Sequence, residues 1–238
     1  MYILELFLID GAPSREGLLN VIAFCVALLV ALVLHEVAHG FVAMLNGDKT
    51  AKYLGRLSLN PAKHFDWRGL LMMLICGFGW AKPVPVNPHN YKNLKVGSVT
   101  VALAGVVTNL LLAFVASFFY VWLHSAIPSM DFSNEVLYYT VYLLNVTLQF
   151  IIQLNINFAL FNLLPLYPLD GYRLLSSFIN ENNKFMTAIR KYSFYIVIAL
   201  VALNLVPYLK TFSPMYWYIG KFGGAIVEAF LNFWRLFF

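Results

Sequence analysis

Charge is what these 238 residues have least of. Asp, Glu, Lys and Arg make up 11% of the chain, 61% is hydrophobic, and the mean hydropathy is +0.74. Soluble domains carry about 25% charged and about 45–50% apolar residues. The deficit excludes an ordinary soluble globule and indicates an integral membrane protein, with room for about five or six spans and none for a sizeable soluble domain. Cysteine is nearly absent. Cys25 and Cys76 lack metal-type spacing and lie in apolar stretches, so they read as small apolar residues and not as a disulfide. There is no basic patch interleaved with aromatics. The net charge of +5 is spread over the connections, which argues against nucleic acid and makes lipid headgroups the neighbours of the lysines. The N-terminus "MYILELFLID" has neither a basic region nor a small-residue cleavage site, so no removable signal peptide is expected. Internal repeats and low-complexity linkers are also missing.

What is present is long apolar runs. Residues 18–45, 96–123, 136–164 and 187–207 are each long enough for a spanning helix of about 20 residues. A fifth run, 215–238, is aromatic-rich. The expected fold is an all-α polytopic bundle of about five spans. A sixth stretch, "GLLMMLICGFGW" at 69–80, is too short to span and has basic flanks on both sides. It should enter and leave by one face, as a re-entrant or hairpin segment. Lys and Arg crowd connections 46–95 and 165–191, while 124–135 has none and 208–214 only Lys210. The positive-inside rule then puts the N-terminus outside and both basic loops, with the C-terminus, in the cytoplasm. Two proline-rich segments, "AKPVPVNPHN" at 81–90 and "LLPLYPLDG" at 163–171, fall beside that face.

The first long run contains His35-Glu36-Val37-Ala38-His39, an H-E-x-x-H pattern. On a helix, i and i+4 lie about 40° apart around the axis and about 6 Å along it, so both imidazoles reach one metal ion. Glu36 is placed to take a proton from a water on that metal. Ionisable residues inside a span are rare and mark functional sites. His35 stands eleven residues before Asn46, about 16 Å of helix. That depth is near the middle or cytoplasmic half of a hydrocarbon core about 30 Å thick.

A catalytic zinc takes three protein ligands. The metzincin third histidine would fall on Leu45, so that pattern fails. The remaining candidates on the basic side are Asp48, His64, Asp66, His89, Asp170 and Glu181; Asp131, Glu135 and His124 lie at the other face. Asp170 is the best of these. Pro165 and Pro168 break the preceding span, and non-helical backbone at membrane depth is tolerated only where it is buried or lines a watery cavity. Gly171 would permit a sharp turn there. The competing reading is an ordinary proline-rich helix exit.

These two motifs together resemble the site-2 protease family of intramembrane zinc metalloproteases. The second motif, of the type N-x-x-P-x-x-x-L-D-G, stands here as Asn162 to Gly171. The resemblance covers about residues 20–180 and includes "ALAGVVTN" at 102–109, similar to the family's A-G-P-x-x-N signature with Val106 for proline. Tyr172 replaces a common second glycine. The resemblance implies His35, His39 and Asp170 as ligands of one Zn2+, Glu36 as general base, and Asn162 as a substrate-holding or oxyanion residue. It also implies substrates that are transmembrane segments of other proteins. Gly105 and Asn109 have a plain alternative as helix-packing residues. Family members often carry a PDZ or CBS domain. This length leaves room for neither, so the expectation is one membrane peptidase domain over 1–238, with a core at about 20–180 and accessory spans at 187–238. An extended substrate suggests strand addition, with 52–61 or 81–90 as the edge or, alternatively, a plain interfacial loop. His64 and His89 read as ordinary interfacial loop residues. The alternative function is a zinc or divalent-metal transporter, which would want more ligands on neighbouring spans. The runs at 96–123 and 187–207 contain no His, Asp or Glu.

Overall fold

A computed structural model describes residues 2–9, 11–76, 79, 81–180, 182–205 and 209–238. Nine α-helices occur among the described residues: α1 Tyr2–Phe7, α2 Arg15–Leu45, α3 Thr50–Tyr53, α4 Trp67–Cys76, α5 Leu94–Ala126, α6 Glu135–Asn162, α7 Asp170–Ser176, α8 Lys184–Leu205 and α9 Pro214–Arg235. Their starts are chemically marked. Ser14, Asn93, Asn134 and Ser213 each accept a hydrogen bond from a backbone N–H in the first turn of α2, α5, α6 and α9. That satisfies donors which a helix N-terminus leaves orphaned. The only sheet among the described residues is a two-residue hairpin, Leu8–Ile9 (β1) with Ala12–Pro13 (β2).

Four helices are long and apolar enough to cross a membrane: α2, α5 with its 3-10 extension to Ser129, α6, and α8 as far as Leu203. α9 forms over nearly all of the fifth apolar run but is more mixed in composition, with Lys221, Glu228 and Arg235 along it. The polytopic helical bundle read from the sequence is what the chain forms.

α2, α5 and α6 make the centre. Phe24 and Leu28 of α2 meet Phe150, Leu154 and Phe158 of α6. Ala113 and Ala116 of α5 meet Ile152, Ile156 and Leu160 of α6, and α9 adds Ile219, Ile226 and Phe230 to that cluster. Small residues let these backbones approach, since apolar burial alone does not drive helices together in lipid. α9 is tied on by Trp234, whose Nε1 donates to Phe114 O at 3.0 Å. Arg15 and Glu135 pair at 3.4 Å, so α2 and α6 begin at the same end of the bundle. Asn46 donates to Thr100 Oγ1 at 3.0 Å, so α5 begins where α2 ends and runs antiparallel to both.

Of the short stretch at 69–80, residues 77, 78 and 80 lie outside the described residues. α4 occupies much of it, Phe65 and Ala81 form an antiparallel bridge, and Lys82 N donates to His64 O at 2.8 Å. The excursion is closed at its base. His64 differs from expectation. It is fully buried, with Nε2 2.7 Å from Ser58 O, because the loop folds inward around its own backbone carbonyls.

Candidate metal centre

α2 presents His35 and His39 one turn apart on its buried side. At the end of α6 the chain leaves the helix at Leu163, runs through Pro165 and Pro168, and begins α7 with Asp170. The tyrosine between the prolines is held from outside the motif: Tyr167 N donates to Ser193 Oγ of α8 at 2.9 Å. This break brings Asp170 back against the histidines. Its Oδ2 lies 3.2 Å from His35 Nε2 and 3.1 Å from His39 Nε2, and the two Nε2 atoms are 3.1 Å apart. All three residues are buried, at 7%, 3% and 5% exposure.

The far side of each imidazole fixes its tautomer. His39 Nδ1 is 2.7 Å from Val101 O, a carbonyl that only accepts, so Nδ1 is the protonated nitrogen. His35 Nδ1 contacts Asn109 Oδ1. The orientation of that amide is set by its other end, where Nδ2 donates to Asn155 Oδ1 at 2.6 Å and to Ala31 O at 3.4 Å. His35 Nδ1 therefore also donates. Both Nε2 atoms are left as bare lone pairs facing a carboxylate oxygen that has no hydrogen-bond donor. Three acceptors within about 3.2 Å repel unless a cation joins them. One ion reaches all three at the usual ~2.0–2.2 Å for zinc with nitrogen and oxygen ligands. The donor set fits a metal, and this trio is the one His, Cys, Asp or Glu group able to hold an ion among the described residues.

Two glycines make the approach possible. A Cβ on Gly105 of α5 would lie 2.3 Å from His35 Cε1 and 2.6 Å from His39 Nε2. A Cβ on Gly171 would lie 2.3 Å from Leu163 O and 2.4 Å from Leu164 O. Gly171 thus does not turn the chain, as the sequence suggested. It sits inside α7 and lets that helix press on the carbonyls at the end of α6.

Glu36 is half-buried, and its Oε2 accepts a hydrogen bond from Val84 N at 2.7 Å. Asn162 donates from Nδ2 to Phe158 O of its own helix at 3.0 Å. The other ligand candidates lie apart from the trio. Asp48 is fully buried as the anchor of the turn at 87–90, Asp66 caps α4 through Arg68 N at 2.9 Å, and His89 is exposed. Glu181 lies outside the described residues.

With this geometry in view, the comparisons with known proteins decide the class. The model of peptidase family M50 matches residues 23–204. The chain belongs to peptidase family M50. It is 40% identical over 185 residues to a Bacillus subtilis (strain 168) protein named "Putative zinc metalloprotease YwhC", covering 77% of this chain and 82% of that one. It is 28% identical over 224 residues to "Putative zinc metalloprotease Rip2" of Mycolicibacterium smegmatis, covering 88% and 80%. No solved structure matches. Membership in M50 supports a zinc peptidase over a transporter and fits the two motifs that carried the resemblance.

Reading the sequence missed Asn155 and undervalued Asn109. Asn155 is one amide on a helix that also carries Asn145, Gln149, Gln153 and Asn157, so nothing in its spacing marks it. Its burial and its bond to Asn109 do.

Proposed function

We propose that this M50 protein is an intramembrane zinc endopeptidase that hydrolyses peptide bonds in or near transmembrane segments of other membrane proteins. The observation that carries the reading is the convergence of Asp170 Oδ2 with His35 Nε2 and His39 Nε2, without donors between them, where the two histidines stand on a helix long enough to span. These three residues would hold the zinc. Bound zinc would supply Lewis acidity, polarising the scissile carbonyl and acidifying water.

The chain's own residues do the rest. Asn109 and Val101 O hold the imidazoles in the tautomer that points Nε2 at the metal. Glu36 takes the proton of the attacking water and passes it to the leaving amine. Asn162, eight residues before Asp170 in the second motif, is the candidate to hold the substrate carbonyl once it exchanges its bond to Phe158 O. The segment at 81–87 is extended and reaches Glu36, which supports 81–90 over 52–61 as the edge along which an unwound substrate lies. The peptidase core is residues 20–180. The accessory part, 187–238, supports it through Ser193 on Tyr167 and through α9 on α5 and α6. The site opens to the cytoplasmic side of the cell membrane.

Purified full-length protein in detergent tests this. Glu36→Gln should keep about one zinc per chain and lose cleavage of a model membrane substrate by at least about 100-fold. Asp170→Asn should lower zinc content. Wild-type cleavage by Glu36→Gln would overturn the mechanism.

A further inference from the structure

We infer that the backbone N–H of Val84 positions the Glu36 carboxylate, which makes the proline strap at 81–87 part of the catalytic machinery. The inference rests on Glu36 being the general base.

The strap has few donors to spare. Pro83 and Pro85 have no N–H, so Val84 offers the one donor between them, and that donor goes to Glu36 Oε2 at 2.7 Å across 48 residues. The prolines also hold Val84 extended. Its side chain, 4% exposed, seats the strap on the motif helix itself. A Cβ on Gly40, the residue after His39, would meet Val84 Cγ1 at 2.9 Å and Leu57 Cδ2 at 2.8 Å. Both ends of the strap are pinned. Before Val84, Lys82 N donates to His64 O at 2.8 Å and Arg56 Nη2 to Lys82 O at 2.8 Å. After it, Asn87 N donates to Asp48 Oδ2 at 2.6 Å, and Asn90 Nδ2 to Asp48 Oδ1 at 2.9 Å. The Val84 donor is therefore held from both sides.

A glutamate has three rotatable bonds and swings through several positions unless something holds it. One N–H on Oε2 sets the carboxylate plane and leaves Oε1 free to take a proton. A base held in its reactive pose saves the reorganisation that a mobile one requires. Because the donor is a main-chain group, no side chain at position 84 reveals it.

Two variants separate donor from packing. Val84→Pro removes the N–H and leaves the strap extended. Val84→Ala keeps the N–H and trims the side chain. Full-length protein in detergent, with zinc measured in each sample, should show kcat for a model membrane substrate falling about 10- to 100-fold in Val84→Pro. Its KM should stay within about twofold of wild type and zinc content should be unchanged, and Val84→Ala, which keeps the donor, should lose much less kcat than Val84→Pro. Amide hydrogen exchange gives a readout independent of cleavage. Glu36→Ala should speed exchange at Val84 at least about tenfold while Asn87, held by Asp48, stays protected. Wild-type kcat in Val84→Pro, equal losses in both variants, or Val84 exchange indifferent to Glu36→Ala would overturn the proposal. If Glu36→Gln cleaved normally while Val84 stayed protected, the bond would stand but the base assignment would fall, and the catalytic role of the strap with it.

Discussion

At the scale of single residues, the site depends as much on what is omitted as on what binds. Gly105 is the clearest case. Its missing Cβ leaves the space that two imidazoles occupy, so a methyl there must displace His35 or His39. Gly105→Ala should lower bound zinc about tenfold or more, because misplaced ligands typically cost 10–100-fold in metal affinity. Gly224→Ala, where a Cβ meets nothing within 4 Å, should leave zinc content unchanged. Metal analysis of the two purified variants checks this, and equal zinc in both would show that the imidazoles need no such clearance. The sequence pointed to His35, Glu36 and His39 because ionisable groups are rare in apolar runs, and to Asp170 because Pro165 and Pro168 break the helix before it. It did not reveal what orients them. Asn109 and Asn155 are neutral amides, common enough in spans to pass as packing, and the N–H of Val84 belongs to no side chain.

At the scale of elements, the strap and the broken helix shape the site, and both were only partly legible. Prolines announced that 81–90 and 163–171 were not helical. They did not say that the first would fold onto α2 or that the second would be held by Ser193 of α8. Those contacts join segments far apart in sequence. Asp48 shows the same limit. As an acid on the basic side it was a fair ligand candidate, yet it takes hydrogen bonds from Asn87 N, Asn90, and Thr50 through both N–H and hydroxyl. Burial pushes its carboxyl upward, but those donors outweigh burial and hold it below the usual carboxylate range. A carboxyl whose folded pKa is depressed adds stability that is complete above its unfolded pKa of about 3.9 and fades as pH falls through the folded value. The strap should therefore loosen at its Asn87 end in acid, below about pH 4. The protection factor of the Asn87 amide, measured from pH 7 to pH 3, should fall in that window. Asp48→Asn should weaken it already at pH 7 and flatten the pH dependence. A wild-type protection factor that does not change below pH 4 would rule out Asp48 as the pH-sensitive anchor.

At the scale of the whole molecule, the bundle is polarised. One end holds Arg15, Glu135 and the 127–134 connection, where α2 and α6 begin and α5 finishes. The other end gathers the strap, Asp48, the Asp170 loop and most of the lysines and arginines. The fold does not say which end faces the cytoplasm, and the proposed orientation rests on charge. Short loops rich in Lys and Arg remain on the cytoplasmic side, because moving them across the membrane is unfavourable. The 46–95 connection carries eight such residues, Lys49, Lys52, Arg56, Lys63, Arg68, Lys82, Lys92 and Lys95, while 124–135 carries none. The strap and the metal ligands should thus be reached from the cytoplasm. Two exposed positions test this, Ser133 at the charge-poor end and His89 on the strap side. In cells expressing a background with Cys25 and Cys76 replaced, a membrane-impermeant maleimide should label Ser133→Cys from outside. It should label His89→Cys only after the membrane is permeabilised. The reverse pattern would turn the protein over and put the proposed peptidase site on the outer face.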